Sequence, residues 1–299
     1  MQKAIAQLSY EPDIHAGSLR RLGGATHTIG LLVGSVANPF SGLIHRAVED
    51  VAIDRGVAVF ASSLDEDPSR ERGAVSAFLR RKVDGVILTR ASESQAYLLP
   101  EVERGLPMVF VDRPAAGIDA DSVVSDNVEG AAMATRHLID RGHRRIAFLG
   151  YRADIWTVGQ RYEGFRKEIA NAGISTGSTD VLENLQDEAT TSDAVVRLLR
   201  RPDPPTAIFS SQNLITIGVI RALRSLELQR RIALIGFDDV PMGDMLEPGI
   251  SVVSQDPSAI GDAAARLLFA RLDGDHSAPR QIVVPTRFIP RGSGEIPPS

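Results

Sequence analysis

Cysteine is missing from this 299-residue sequence. Its absence removes disulfides and thiolate chemistry and is consistent with a cytoplasmic location. No apolar run comes near the roughly 20 residues that cross a bilayer, and the N-terminal stretch MQKAIAQLSYEPD lacks the basic-then-apolar layout of an export signal. Positive charge is not in excess. The formal net charge is −5, so the body of the chain is no electrostatic nucleic-acid binder. Lys3, Arg20 and Arg21 against Glu11 and Asp13 leave residues 1–27 at +1 and the remainder at −6. Aromatics are scarce at 5%, with one tryptophan, Trp156. Missing too are a G-x-G-x-x-G after any strand, a P-loop Gly-Lys-Ser/Thr and a G-x-S-x-G elbow. The six histidines show no metal-ligand spacing, and His143 in RGHRR reads as a surface turn residue. Asp238-Asp239 could mimic a magnesium-binding pair, but one acid there serves equally as an acceptor for a ligand hydroxyl. The parts of an enzyme are wanting, so no catalytic residue, metal or cofactor is expected.

What is present is alternation. TIGLLV opens at Thr28 as a buried strand, a polar turn follows to Pro39, and Phe40, Leu43, Ile44, Ala47, Val48, Val51 and Ala52 form a helical stripe ended by Gly56. Further strands are expected at 57–63, 83–89, 107–112 and 122–126, with helices at 40–55, 68–82, 94–104 and 128–141. The pattern then recurs: strands at 144–150, 179–185, 206–211 and 232–238, and a helix from about Gly159 to Ala172. Strands alternating with helices predict parallel sheets covered on both faces, and two such runs predict two similar lobes. The closing SVVSQ strand, a helix over 257–272 and a strand over 281–289 imply that the chain crosses back between lobes. Gly292–Ser299 reads as a frayed end.

The fold class is therefore α/β, with two doubly wound parallel-sheet lobes, a ligand cleft between them and a short helical arm in front. The expected boundaries are 1–27 for the arm, 28–124 and 256–284 for the N-terminal lobe, and 125–255 and 285–299 for the C-terminal lobe. Open α/β sheets bind ligands at the carboxyl ends of their strands, and polar residues recur there. These are Asn38, Asp112-Arg113, Asp126, Thr157 to Arg161, Gln212-Asn213, Asp238 and Gln255, beside Phe40 and Trp156. Amides, carboxylates and arginines beside aromatic faces suit a polyhydroxyl ligand. Asp126 and Asn213 read equally as helix N-caps.

A series of segments in order resembles the lactose-repressor (LacI) family of transcription regulators, whose core is similar to the periplasmic ribose-binding protein. They are AIAQLSYEPDIHAGSLRR (4–21), TIGLLVGSVANPF (28–40), RRKVDGVIL (80–88), VDRP (111–114), HLIDRGHRRIAFLG (137–150), QRYEGFR (160–166), PPTAIFSSQN (204–213) and ALIGFDDVP (233–241). The resemblance runs from residue 2 to about Arg291. It implies effector contacts at Asn38, Phe40, Asp112, Arg113, Thr157, Arg161, Gln212, Asn213, Asp238 and Gln255. Trp156 is the aromatic surface available, since Gln186 stands where relatives often carry a ring. Ser41 and Asn213 depart from the residues frequent at their positions.

Residues 1–27 are similar to a remnant of the family's DNA-binding head, QKAIAQL, followed by its hinge helix. The resemblance implies that Leu19 is the residue that wedges into the minor groove of DNA and Ala16 the small residue that lets paired hinge helices approach. Gly17 replaces a longer polar residue, which lowers helix stability by up to about 1 kcal/mol. The helix-turn-helix head expected before QKAIAQL is largely missing, so operator binding by the chain as written is expected to be weak or absent. The expected function is a ligand-responsive DNA-binding regulator working as a homodimer, with a small sugar-like effector and no membrane partner. The alternative is a transport solute-binding protein, for which an export signal is wanting.

Overall fold

Thr28–Val33 forms β1, buried along all but its first residue, and the computed structural model describes residues 24–175 and 179–298 around it. The chain continues through α1 (Pro39–Ile53), β2 (Ala58–Ser63), α2 (Pro68–Arg80), β3 (Gly85–Leu88), α3 (Leu99–Glu103), β4 (Met108–Val111) and β5 (Asp121–Ser125). The second run is α4 (Asn127–Asp140), β6 (Ile146–Leu149), α5 (Trp156–Asn171), β7 (Asp180–Leu182), α6 (Glu188–Leu199), β8 (Ala207–Ser210), α7 (Asn213–Ser225), β9 (Ala233–Phe237) and β10 (Ser251–Ser254). Then come α8 (Pro257–Leu272), β11 (Gln281–Val284) and β12 (Arg287–Ile289).

Two six-stranded sheets result, in the orders β11-β5-β4-β3-β1-β2 and β12-β10-β9-β8-β6-β7. The ladders from β1 to β5 and from β6 to β10 are parallel, and β12 adds antiparallel to β10. Two compact units follow from this: one runs to Val123 and includes Pro257–Ile282, and the other takes Val124–Asp256 and the chain from Val283 onwards. Both sheets carry the near-continuous apolar strands of sheets covered on two faces; IAFL of β6 and AIFS of β8 are wholly buried.

Within the first unit, α8 packs on α1, while Phe78, Leu88 and Phe110 fill the opposite face of the sheet with Leu32 and Leu64. In the second, α4 packs on α5, over a core in which Phe148 meets Phe165 and Phe209 at centroid distances of 5.4 and 5.8 Å. Gly164 permits the α4–α5 approach: a Cβ there would stand 2.1 Å from the Val128 carbonyl oxygen.

Several sequence expectations are corrected by chemistry that the pattern hides. The helix expected over 94–104 is a 3-10 turn at Ala96–Leu98 followed by α3, because Pro100 sits in the first turn of α3, where its missing N–H is tolerated. Helix α5 begins at Trp156 rather than near Gly159, since extended Ile155 serves as its N-cap residue and Thr157 and Val158 are buried. The stretch 281–289 is two strands in different sheets, broken at Pro285-Thr286, where the Thr286 N–H donates to Asp126 Oδ1 at 2.7 Å. Leu43, placed on the apolar stripe of α1, is 49% exposed.

The C-terminal segment is not frayed over its described length. Ser293 and Gly294 are buried, Ser293 Oγ donates to the Leu234 carbonyl at 2.6 Å, and Ser251 Oγ donates to Glu295 Oε2 at 2.8 Å. Nor is His143 a surface residue. It is fully buried, with Nδ1 2.8 Å from Thr206 Oγ1 and Nε2 2.8 Å from the Ile296 carbonyl, so it fastens this segment to the second unit.

Candidate functional site

In the first unit, the loops past β1, β2, β3 and β4 bring their polar groups to the carboxyl ends of the strands. Asn38 is the N-cap of α1, its Oδ1 accepting from the Phe40 N–H at 3.1 Å, which fixes the half-buried Phe40 ring in the first turn. Asp112 directly follows β4 in a left-handed conformation, φ 68°, and its N–H donates to the Val123 carbonyl at 3.0 Å. Arg113 is buried. Its two terminal nitrogens donate to the two carboxylate oxygens of Glu66, each at 2.6 Å, one also donates to the Arg90 carbonyl at 2.8 Å, and Nε lies 3.4 Å from Asp112 Oδ2.

Behind this pair stands a second layer. Glu71, with no exposed surface, accepts from the Ala91 and Ser92 N–H groups at 2.6 and 2.7 Å and from the Tyr97 hydroxyl at 2.7 Å. Burial and the Glu71 carboxylate push the Tyr97 phenol well above its ordinary range. Arg90 donates to the Pro114 and Ser92 carbonyls at 2.7 and 3.1 Å, and its own pKa is lowered by burial and by Arg113. The loop carrying the Arg90 carbonyl is thereby anchored, and with it Arg113.

In the second unit the corresponding groups gather around Arg161, which projects from the second turn of α5. Its Nε donates to Asn127 Oδ1 at 2.8 Å and its Nη1 to the Ser211 carbonyl at 2.6 Å. Nη1 also lies 3.7 Å from Asp238 Oδ2, and the guanidinium carbon sits 3.7 Å from the centre of the Phe237 ring. Asp238 follows β9 with φ 69°, and its Oδ1 accepts from Gln255 Nε2 at 2.6 Å. Burial raises the Asp238 pKa, opposed by Arg161 and then by the Gln255 bond.

Trp156 and Thr157 occupy the first turn of α5, the former half-buried and the latter buried. Gln212 precedes α7 in extended conformation, and Asn213, first in the helix and buried, accepts from the Leu214 N–H through Oδ1 at 2.9 Å. Asp126 precedes α4 but makes no capping bond, since its carboxylate is taken by Thr286. The two acids of GFDD part company: Asp239 accepts from both terminal nitrogens of Arg291 at 2.6 Å, a bond that holds its pKa low.

Residues 135–294 match the periplasmic binding protein-like domain family. A ribose operon repressor of Halalkalibacterium halodurans is 32% identical, over 97% of this chain and 85% of its own. The regulator PtxS of Pseudomonas aeruginosa is 31% identical over 98% and 85%. The chain belongs to the LacI family of transcriptional regulators. Its fold is also that of a LacI-family regulator from Enterococcus faecium solved with bound ribose, with TM-score 0.81 and 23% identity over 90% of this chain and 99% of that one.

This LacI-family member is a ligand-responsive transcriptional regulator. Among its expected effector residues, the first unit brings Asp112 together with Arg113, and the second brings Arg161, Asp238 and Gln255 into one bonded group. Asn38 and Asn213 each satisfy a backbone N–H near a helix start. Ala16 and Leu19, expected to touch DNA, lie outside the described residues. Sequence reading missed Glu66, Glu71 and Asn127. Only Glu66 carried a signal, an acidic Asp-Glu-Asp run directly past a strand.

Proposed function

We propose that the strand-tip residues of both units serve one effector, a small neutral polyhydroxylated metabolite of the sugar class, and that its binding changes the affinity of the regulator for DNA. The observation that carries this is the Arg161–Asp238–Gln255 group: a buried carboxylate and guanidinium, fixed by further bonds and resting on an aromatic ring, groups of the kind that bind ligand hydroxyls. The ribose named for one relative, and bound in the Enterococcus faecium structure, belongs to the same chemical class. Asn38, Phe40, Asp112, Arg113, Trp156, Thr157, Gln212 and Asn213 complete the set. An effector can act this way only by binding one conformational state more tightly than the other.

In this reading the protein is a cytoplasmic homodimer without catalytic activity. Leu19 and Ala16 of the arm act at the minor groove, and the effector signal reaches DNA through residues 1–27. A thermal-shift screen against neutral pentoses, hexoses and pentitols tests it. A ligand that binds only the native state raises Tm in proportion to the logarithm of its concentration above Kd. The expected result is such a rise with at least one neutral sugar; no rise with any of them overturns the reading.

A further inference from the structure

We infer that Glu66 sets the charge class of the effector: by clamping Arg113 it makes the first unit a receptor for neutral hydroxyls and a poor one for phosphate esters and sugar acids. This rests on the reading that the strand-tip residues bind the effector.

Arginine takes phosphate and carboxylate through two parallel N–H donors, the fork of the guanidinium. In Arg113 the end-on pair of that fork is already filled. Nη1 and Nη2 meet Glu66 Oε2 and Oε1 at 2.6 Å each, and Nη1 gives a further bond to the Arg90 carbonyl. Asp112 Oδ2 stands 3.4 Å from Nε. Two carboxylates therefore surround one guanidinium, and the group is net negative. Side-chain exposures of 8% for Arg113 and 18% for Glu66 keep the pair from being screened as a surface pair is. A neutral hydroxyl meets no like-charge repulsion there, since it approaches a carboxylate as a donor. A dianionic phosphate would have to displace Glu66 from the end-on pair or approach the Nε edge past Asp112, and on either path would meet the field of both acids.

The loop that delivers Glu66 is held in an expensive shape. Asp65 and Glu66 are consecutive non-glycine residues in the left-handed region, with φ of 48° and 56°. The Leu64 N–H donates to the Val33 carbonyl, the Asp65 N–H to the Gly34 carbonyl and the Asp67 N–H to the Leu64 carbonyl, while Asp67 caps α2 through the Ser69 N–H at 2.7 Å. Together they carry the carboxylate to the tip of β1, where a Cβ on Gly34 would stand 4.0 Å from Glu66 Oε1. The second unit follows the same logic, for Arg161 is matched by Asp238 and occupied by Asn127 and the Ser211 carbonyl.

The test is a fluorescence titration of Trp156 with neutral pentoses and hexoses, their monophosphates and their aldonates, on the parent protein, Glu66→Gln and Glu66→Asp. The parent is expected to bind at least one neutral sugar about tenfold or more tightly than its charged counterparts, a difference of about 1.4 kcal/mol. Glu66→Gln should narrow that ratio about tenfold or invert it. Glu66→Asp keeps the charge and should keep the neutral preference. Parent protein that prefers a monophosphate or aldonate overturns the inference and needs no variant to fold. A parent preference that Glu66→Gln leaves unchanged also overturns it, and there the effector reading stands whole; a charged preference in the parent leaves the assignment of the site to an effector but removes its neutral class. No saturable response to any sugar, neutral or charged, removes the effector reading itself.

Discussion

Asp112 and Asp238 occupy the same station in their respective units. Each is the first residue past a strand, each has a left-handed backbone (φ 68° and 69°), and each donates its N–H to the neighbouring strand, to Val123 O at 3.0 Å and Val253 O at 2.8 Å. Aspartate tolerates this conformation better than most residues, glycine better still. The repeated geometry turns a carboxylate out of the strand direction at one place in each sheet.

That geometry separates stability from binding. At position 112, alanine in the left-handed region costs roughly 1–2 kcal/mol relative to glycine. Asp112→Gly is therefore expected to unfold in urea near the parent midpoint and Asp112→Ala at a lower denaturant concentration, while both lose effector affinity. Equal midpoints for the two variants would show that the left-handed backbone is not carried in solution.

The buried His143 makes stability depend on pH. Burial holds its pKa below the ordinary 6.5. As pH falls through about 6.5 the unfolded chain takes up a proton that the native ring refuses, so the unfolded state binds more protons and stability declines. The contribution is full above that pH and is lost on acidification until the native ring also titrates. Parent Tm should therefore fall more steeply from pH 7 to 5 than that of His143→Gln. Parallel Tm–pH curves would contradict the burial of an uncharged ring.

Two glycines of α5 should respond in opposite directions to the same substitution. Gly159 faces open space, and a methyl added there would meet no neighbouring atom within 4 Å, whereas a methyl on Gly164 meets the Val128 carbonyl at 2.1 Å. Gly159→Ala is expected to stabilise by up to about 1 kcal/mol through helix propensity. Gly164→Ala is expected to destabilise by about 1–3 kcal/mol through overpacking of α4 on α5. Urea unfolding measures both.

Periodicity and punctuation carried the architecture. The apolar runs at 28–34 and 206–211, the glycine stops at Gly56 and Gly142, and the helix over 257–272 all stand where the spacing put them. Local pattern failed where a distant partner decided the outcome. His143 is polar and lies in a basic turn, yet its ring is claimed by Thr206 and Ile296, 63 and 153 residues away. The stretch 281–289 reads as one strand by composition, with Pro285 and the expected lobe boundary beside it the sole mark that its halves, β11 and β12, join different sheets. At the candidate site, the residue types at strand ends were legible. Their pairing with the partners that tune them, Glu66 on Arg113 and Asn127 on Arg161, was not, since hydrogen bonds across 47 and 34 residues leave no periodic trace.

The most direct measurement is a titration of Trp156 fluorescence with neutral sugars on the parent, Asp112→Gly and Asp238→Asn, each first shown to be folded by circular dichroism. Losing a charged acceptor to a ligand hydroxyl costs about 1.5–3 kcal/mol, roughly tenfold or more in Kd. The expected result is a saturable response in the parent, weakened by at least about that factor in both variants. An unchanged Kd in both would contradict the assignment of Asp112 and Asp238 to the effector.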